Sequence, residues 1–246
     1  TGGTIGMMED IETTNLRPFD FKHLLDEVPE LRKLELEVEV KETTSIIDSS
    51  NTSPKIWMEL LELIKANYDL YDGFVVLHGS DTMAYTASAI SFLIENSNKP
   101  IIFTGSQLPI GKLRTDGKEN LITAIEIAGA KENGRSIISE VAIYFEYNLY
   151  RANRTSKVSA ENFEAFQSPN YPVLAEAGVN IKYNRFALKK PNEERVHFRN
   201  RISEDVASLK LFPGIRKEVF QAVSRINELK GLVIETYGSG NAPMLT

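Results

Sequence analysis

Cysteine is absent from the 246 residues, and histidine occurs only three times. Without cysteine the chain has no disulfide framework, no thiolate nucleophile and no cysteine ligand for a metal. The histidines are His23, His78 and His197, which lie too far apart in sequence to form a local metal-binding motif. We therefore expect no metal.

The sequence also lacks a long apolar run and an excess of basic residues. No apolar run approaches the ~20 residues that a transmembrane helix needs. The 34 acidic and 28 basic residues give a net charge of −6, which argues against nucleic-acid binding. Apolar residues make up 42% of the chain, enough for the core of a globular protein. We expect no membrane partner and no nucleic-acid partner.

Short buried strands and helices alternate over the first two thirds of the chain. The runs GFVVL (73–77), PIIFTG (100–105) and VAIYFEY (141–147) are typical of central parallel strands that helices cover on both faces. Helices are predicted between them, from Thr82 to Leu93 and from near Gly117. This order predicts an α/β fold, a doubly wound domain with a mostly parallel sheet.

Two features lie outside that repeat. Ser53-Pro54 is typical of a helix start, and LELEVEV (34–40) alternates apolar and acidic residues, which predicts a strand with one wet face. The segment after Ile181 is charged and has little periodicity, as a linker has.

The last part of the chain predicts a second, smaller α/β domain. Residues 206–212, 216–228 and 231–238 read as strand, helix and strand. The predicted division is an N-terminal catalytic domain at 1–182, a linker at 183–204 and the start of the C-terminal domain at 205–246. One βαβ unit cannot bury both faces of its sheet, and the opening TGGTIG normally follows a strand. We therefore expect a chain truncated at both ends.

The opening TGGTIG raises the question of what Thr4 does. It is neither the phosphate loop GxxxxGK[ST] nor the dinucleotide motif GxGxxG, which disfavours a phosphate role. Thr4 is either a residue of the crevice beyond a strand end or a capping threonine in a turn. A second possibility is that Thr1 is an N-terminal nucleophile with its own amine as base.

Other candidate residues follow the predicted strands. Ser80 and Asp81, in HGSDTM, are either functional residues or helix caps, and we interpret His78 as structural because it is too close to them in sequence for a Ser–His–Asp triad. Lys157 could accept and return protons if it is buried beside Asp81. Ser49, Ser50 and Ser106 on their own read as turn or loop residues, and Asp116 could pair with Arg114.

Taken together, the motifs TGGTIG, HGSDTMAYTAS, TGSQLPIGKLRTDG, NRTSK and YGSGNAP stand in the order found in the bacterial-type L-asparaginases. The chain resembles that family over essentially its whole length, and the cytoplasmic type I enzymes most closely. The resemblance implies a cytoplasmic homo-oligomer, a dimer or tetramer, that hydrolyses L-asparagine to L-aspartate and ammonia without a cofactor. It leaves the preference between asparagine and glutamine open.

The resemblance also implies roles for individual residues. Thr4 matches the nucleophile that forms an acyl-enzyme, and the proton-handling group matches Ser80, Asp81 and Lys157. At position 80 serine stands where threonine is usual, so the hydroxyl is kept while the stiffening methyl is lost.

Substrate-binding positions follow in the same way. Ser49 and Ser50 match residues that hold the α-carboxylate, and Asp81 also takes the α-ammonium. Ser106 matches a loop residue whose main chain faces the substrate amide, and Asn241 matches an asparagine that reaches the site of a neighbouring subunit.

The chain departs from the family pattern in two places. The stretch EDIETTNLRPFD (9–20) contains no tyrosine where many members carry one on a mobile lid, so lid closure or activation of the nucleophile is expected to differ. An acidic residue that the family supplies from the C-terminal domain would lie past Thr246. Two alternatives therefore stay open: the ammonia-releasing subunit of a tRNA-dependent amidotransferase, and an inactive fragment or ligand-binding subunit.

Overall fold

A computed structural model describes residues 2–3, 5, 7–9, 16–18, 28–44, 48–191 and 193–244, with the backbone alone at 7–9 and 16–18. The chain divides into two compact units, Thr1–Asn200 and Arg201–Thr246. Within the described ranges, none of the helices has the length and apolar character that crossing a membrane requires.

Helices and strands alternate through the described residues. The α-helices there are α1 (Pro54–Asn67), α2 (Met83–Leu93), α3 (Gly117–Gly129) and α4 (Lys217–Ser224), and 3₁₀-helices form at Pro29–Leu34, Ser49–Asn51 and Ala152–Arg154. The strands there are β1 (Met7–Glu9), β2 (Leu16–Pro18), β3 (Phe74–Leu77), β4 (Ile94–Glu95), β5 (Ile101–Thr104), β6 (Lys131–Glu132), β7 (Arg135–Ser136), β8 (Val141–Phe145), β9 (Asn148–Arg151), β10 (Ser156–Lys157), β11 (Phe166–Gln167), β12 (Ala175–Ala177), β13 (Ile181–Tyr183), β14 (His197–Phe198), β15 (Val206–Lys210) and β16 (Gly231–Glu235).

A mixed sheet is the centre of the first unit. Among the described residues its strand order is β13-β12-β9-β8-β5-β3, and β3, β5 and β8 run parallel. Alternate residues of β5 enter different cores: Ile101 and Phe103 pack with α1 and α2, whereas Ile102 packs with α3. Helices thus cover both faces of the parallel strands, and the predicted α/β class is confirmed.

An antiparallel meander, which the sequence did not predict, extends this sheet at one edge. Strand β9 pairs with β8, β12 with β9, and β13 with β12, all antiparallel. The turn between β8 and β9 holds Glu146 at φ 41° and Tyr147 at φ 69°, a left-handed conformation that usually marks Asn or Gly. Because neither residue is a typical turn former, the sequence carries no signal for this hairpin.

The strand predicted at 34–40 is wrong. Leu34 is the last residue of the 3₁₀-helix at Pro29–Leu34, Glu35 turns left-handed at φ 51°, and described residues 35–43 form no strand. Leu36 does pack on the backbone of α3, where its side chain occupies the space that a Cβ of Gly129 would take. The alternation marks side chains that can face a core, but a strand also needs a backbone partner.

The boundary between the two units, after Asn200, falls within the predicted linker. Residues 183–204 read as a linker, yet the first unit continues to Asn200, because β14 pairs antiparallel with β4 and the Arg199 amide donates to the Leu93 carbonyl. Backbone pairing of this kind needs no apolar periodicity and leaves no pattern in the sequence.

The second unit contains the predicted strand, helix and strand. Strands β15 and β16 pair in parallel, and α4 lies between them in sequence. Its small core contains Leu209, Leu211 and Ile215. The smaller α/β unit predicted from the sequence is thus found in the structure.

Candidate active site

The candidate site lies at the carboxyl ends of β3 and β5. These neighbouring strands end in register, with Leu77 opposite Thr104. The chain therefore leaves both strands at one edge of the sheet, which is where open α/β sheets bind ligands. The loop after β3 carries Ser80 and Asp81, and the loop after β5 carries Ser106.

Lys157 brings the predicted proton-handling residues together. Its Nζ lies 2.8 Å from Ser80 Oγ and 2.7 Å from Asp81 Oδ1. The lysine side chain is 15% exposed, whereas the Asp81 side chain is 67% exposed. The ammonium is thus largely enclosed between two oxygen partners, while the carboxylate keeps a face open to solvent or to a ligand.

The position of Lys157 follows from packing behind it. Strand β10 pairs with β11, which places Lys157 opposite Phe166. The buried Phe166 ring lies 4.9 Å from the ring of Phe145 on β8. This aromatic contact anchors β10 to the sheet and holds the lysine at the sheet edge.

Ser49 reaches the same edge from the turn before α1. Its carbonyl accepts a hydrogen bond from Thr82 Oγ1 at 2.7 Å. A Cβ on Gly79 would lie 2.4 Å from Ser49 Oγ, so the serine hydroxyl approaches the backbone of the β3 loop closely. Ser49 is buried. The structure therefore brings Ser49 beside the loop that carries Ser80 and Asp81.

Ser50 has a different environment from Ser49. It is exposed, and both its amide and its hydroxyl donate to Asp48 Oδ1 at 2.9 Å. The Ser50 amide and then its hydroxyl lower the pKa of the Asp48 carboxyl. The Asp48 carboxylate therefore caps the 3₁₀ turn, and the Ser50 hydroxyl donates to the same carboxylate.

The opening loop also meets the β3 loop. Gly3 has φ +93°, and a Cβ there would lie 2.3 Å from the Gly79 nitrogen and 2.4 Å from its Cα. Ile5 is fully buried in a core cluster with Val28 and Leu121. Thr4, the predicted nucleophile, lies outside the described residues, as does Thr1, so their roles stay predictions.

In the β5 loop, the Ser106 side chain is turned inward. Ser106 is buried, and its Oγ donates to the Leu108 carbonyl at 2.6 Å. Any contact between Ser106 and a ligand would therefore come from its main chain. Asp116 accepts hydrogen bonds from the amides of Gln107 at 2.8 Å and Leu108 at 3.1 Å, so its carboxylate organises this loop.

Sequence reasoning missed Gln107, which contacts Ser80, one of the predicted proton-handling residues. Ser80 Oγ donates to Gln107 Oε1 at 3.1 Å. Gln107 Nε2 donates to the carbonyls of Ala160 and Asn162, at 3.2 and 3.1 Å. A glutamine in the loop after a strand carries no signal of its own, because its contacts come from a loop that lies far along the chain.

His78 has the structural role that the sequence predicted. It is buried at the end of β3, with Nδ1 2.8 Å from the Gly79 carbonyl. Burial lowers the pKa of His78 to about 4, so the ring is neutral near pH 7 and donates from Nδ1.

Asn241 belongs to the second unit. It is exposed there, and its carbonyl accepts from the Tyr237 amide at 3.0 Å. Its predicted role in a neighbouring subunit stays a prediction. Within the described part of the chain, no group of three or more His, Cys, Asp or Glu side chains is arranged to hold a metal ion.

Comparison with known proteins relates this geometry to a family. The chain is 41% identical to L-asparaginase 1 of Escherichia coli strain K12 over 244 residues, which are 99% of this chain and 70% of that protein. The crystal structure of L-asparaginase I from Vibrio cholerae matches with a TM-score of 0.87 and 38% identity, covering 99% of this chain and 72% of that one.

Two further matches bear on the family. A glutamyl-tRNA(Gln) amidotransferase protein of Pyrococcus abyssi, one of the subunits of that enzyme, is 32% identical over 99% of this chain and 56% of that protein. The sequence model described as Asparaginase, N-terminal, matches residues 1–189. The chain therefore belongs to the asparaginase family.

Proposed function

We propose that this chain hydrolyses L-asparagine to L-aspartate and ammonia through an acyl-enzyme on Thr4. The observation that carries the proposal is the contact of Lys157 Nζ with Ser80 Oγ at 2.8 Å and with Asp81 Oδ1 at 2.7 Å. In sequence, Lys157 lies 77 positions from Ser80 and 76 positions from Asp81. The fold thus brings a hydroxyl, a carboxylate and an ammonium together at one sheet edge.

The reaction needs one nucleophile and a route for protons. The Thr4 hydroxyl attacks the side-chain amide carbon, the C–N bond breaks, and the hydroxyl proton leaves with the amine as ammonia. Water then attacks the ester, restores the Thr4 hydroxyl and releases aspartate. Lys157 and Ser80 form a hydrogen-bonded pair through which protons can move in both steps, and Asp81 holds the lysine side chain in place through the contact at 2.7 Å.

Free asparagine carries one charge of each sign, and the site offers partners for both. The exposed side of Asp81 suits the α-ammonium, because a carboxylate offsets the cost of removing that charge from water. Ser49, Ser50 and the main chain at Ser106 are the proposed contacts of the α-carboxylate and the amide. We further propose that the protein is a cytoplasmic homo-oligomer in which Asn241 reaches the site of a neighbouring subunit.

The relatives support hydrolysis over amide transfer. The E. coli and V. cholerae proteins carry the name L-asparaginase at 41% and 38% identity, and the amidotransferase protein is more distant at 32% identity. The net charge of −6 also disfavours direct contact with a tRNA.

Ammonia release from L-asparagine tests the proposal, with Lys157→Met compared with wild type. We expect the substitution to lower kcat by at least about a hundredfold, because proton transfer by a positioned side chain contributes that much. Lys131→Met is the matched control, since Lys131 is exposed and pairs with Asp72 at 2.8 Å on the surface. Retention of wild-type kcat by Lys157→Met would contradict the proposal.

The alternatives give other results in the same assay. A ligand-binding subunit would bind L-asparagine without releasing ammonia. An inactive fragment would also lack a cooperative thermal transition, which differential scanning calorimetry on the same sample detects. An amidotransferase subunit would release ammonia at an appreciable rate only with its tRNA-binding partner.

A further inference from the structure

We propose that Gln107 is a positioning residue that fixes the Ser80 hydroxyl, and that it provides the restraint which the methyl of a threonine would otherwise give. The inference rests on the proposed function, in which Ser80 Oγ accepts from Lys157 within the proton-handling group. It identifies a residue that acts through Ser80 and does not itself contact the substrate.

Serine at position 80 needs such a restraint. A threonine side chain is stiff at χ1 because two heavy atoms on Cβ limit its rotamers. A serine hydroxyl can occupy three staggered positions, of which only one brings Oγ toward a given partner. Proton transfer needs Oγ within about 3 Å of the lysine nitrogen, so a freely rotating hydroxyl would spend part of its time out of reach.

Hydrogen bonds from two directions define the observed rotamer. Lys157 Nζ lies 2.8 Å from Ser80 Oγ, and the hydroxyl donates to Gln107 Oε1 at 3.1 Å. An ammonium can only donate, and a carbonyl oxygen can only accept. The oxygen therefore faces Lys157 on β10, while the proton faces Gln107 in the loop after β5.

The Gln107 amide is itself fixed at its other end. Its Nε2 donates to the carbonyls of Ala160 and Asn162, at 3.2 and 3.1 Å, and its backbone amide donates to Asp116 Oδ2 at 2.8 Å. Because a carbonyl oxygen can only accept, the NH₂ end is the end that bonds to both carbonyls, and this turns Oε1 toward Ser80. The orientation of the acceptor is thus set by the backbone of the segment that follows Lys157.

A double-mutant cycle with L-asparagine as substrate tests the inference. Four full-length forms are compared: wild type, Gln107→Met, Ser80→Thr and the double variant. We expect Gln107→Met to lower kcat about tenfold in the Ser80 background, with KM changed by less than about twofold, because the lost contact orients a proton-transfer group. In the Ser80→Thr background, the same substitution should lower kcat by less than about threefold, because the added methyl restrains χ1.

Gln167→Met is the matched control, since Gln167 is exposed on β11 and the chemical change is identical. It should leave kcat within about twofold of wild type, as exposed substitutions usually do. An equal loss of kcat from Gln107→Met in both backgrounds would show a general structural role and overturn the inference. Wild-type kcat in Gln107→Met would also overturn it.

Failure of the proposed function is distinguishable from failure of this inference. Undiminished ammonia release by Thr4→Ala would contradict the acyl-enzyme proposal. Thr4-dependent release with an additive cycle would contradict the Gln107 role alone.

High-resolution crystal structures without substrate add a readout that needs no turnover. In Gln107→Met the Ser80 side chain should occupy more than one rotamer, and in the double variant position 80 should occupy one. A single wild-type rotamer of Ser80 in Gln107→Met would contradict the inference, whatever the kinetics show.

Discussion

Four glycines in the first unit allow the close approach of the opening loop and the β3 loop to be tested quantitatively. They differ in backbone dihedral and in the space around an added Cβ. At Gly178 neither factor opposes alanine, since the nearest atom would be 3.9 Å away. At Gly134 only the backbone dihedral opposes alanine, because φ is +76° and an added Cβ would have no atom within 4 Å.

The other two glycines are those that bring the loops together. At Gly79 only space opposes alanine, because the Cβ would lie 2.4 Å from Ser49 Oγ and 2.6 Å from Ser49 Cβ. At Gly3 both factors act, with φ +93° and backbone atoms of Gly79 at 2.3 and 2.4 Å. Backbone atoms cannot move aside as the end of a flexible side chain can, so the substitution at Gly3 forces the loops apart.

The expected changes in the free energy of unfolding follow from these factors. Gly178→Ala should stabilise the chain by about 0.5 kcal/mol, because alanine lowers the entropy of the unfolded state. Gly134→Ala should destabilise it by about 1 kcal/mol through left-handed strain. Gly79→Ala should cost about 2 kcal/mol through overpacking, and Gly3→Ala about 3 kcal/mol or more through both effects.

Urea denaturation measures the four values, and ammonia release under native conditions shows which variants also lose activity. We expect activity to fall in Gly3→Ala and Gly79→Ala and to persist in the other two. A Gly3→Ala variant as stable as Gly178→Ala would refute the described contact between the loops. Full activity in a destabilised Gly79→Ala variant would refute the placement of the site at this edge.

Three further predictions concern charge. The folded-state pKa of His78 is lowered from 6.5 to about 4, so the unfolded state binds more protons between these two pH values. We expect the free energy of unfolding to fall by up to about 3 kcal/mol as pH drops from 6.5 to 4. Urea denaturation at several pH values should show this fall, and a smaller fall in His78→Gln. Burial, and then the negative charges of Asp116, Glu119 and Glu164, raise the pKa of Glu146 to about 7, so its contribution to stability is present below pH 4.5 and is lost as pH rises to 7. After a discount for its partial exposure, we expect Glu146→Gln to be more stable than wild type by about 1 kcal/mol at pH 8. The same measurement at pH 4 should show no gain. Glu140 accepts from Arg151 Nη2 at 2.9 Å in a largely buried pair, and Glu140→Ala should destabilise the chain by about 3 kcal/mol because it leaves the guanidinium without its counter-charge; a loss below about 0.5 kcal/mol in urea would show that the pair contributes little.

The parallel core could be predicted from the sequence because its strands are apolar on both faces. All the residues of IIFT (101–104) and VAIYF (141–145) are buried, which is the burial that a continuous apolar run indicates. Helices were predicted to start at Ser53-Pro54, at Thr82 and near Gly117, and the structure begins them at Pro54, Met83 and Gly117.

The antiparallel meander could not be predicted, because β12 and β13 have three residues each and show no period long enough to recognise. At 34–40 the sequence predicted a strand where the structure has none. Its period of two is clear, but alternation reports only the direction of side chains and says nothing of a backbone partner.

For the candidate site, motif order led to Ser80, Asp81 and Lys157, and the structure places their side chains within hydrogen-bonding distance. From the residues alone, Ser80 and Asp81 could equally have been helix caps. Gln107 was not predicted, because its role depends on carbonyls more than 50 residues away in sequence, at separations of 53 and 55.

Peptide mapping after a rapid acid quench can detect the proposed acyl-enzyme on Thr4 itself. The chain would be mixed with excess L-asparagine, quenched during turnover, digested and examined by mass spectrometry. We predict an aspartyl ester on the peptide that contains Thr4, and neither ester nor ammonia with Thr4→Ala. An ester on Ser80, or continued ammonia release by Thr4→Ala, would show that Thr4 is not the nucleophile.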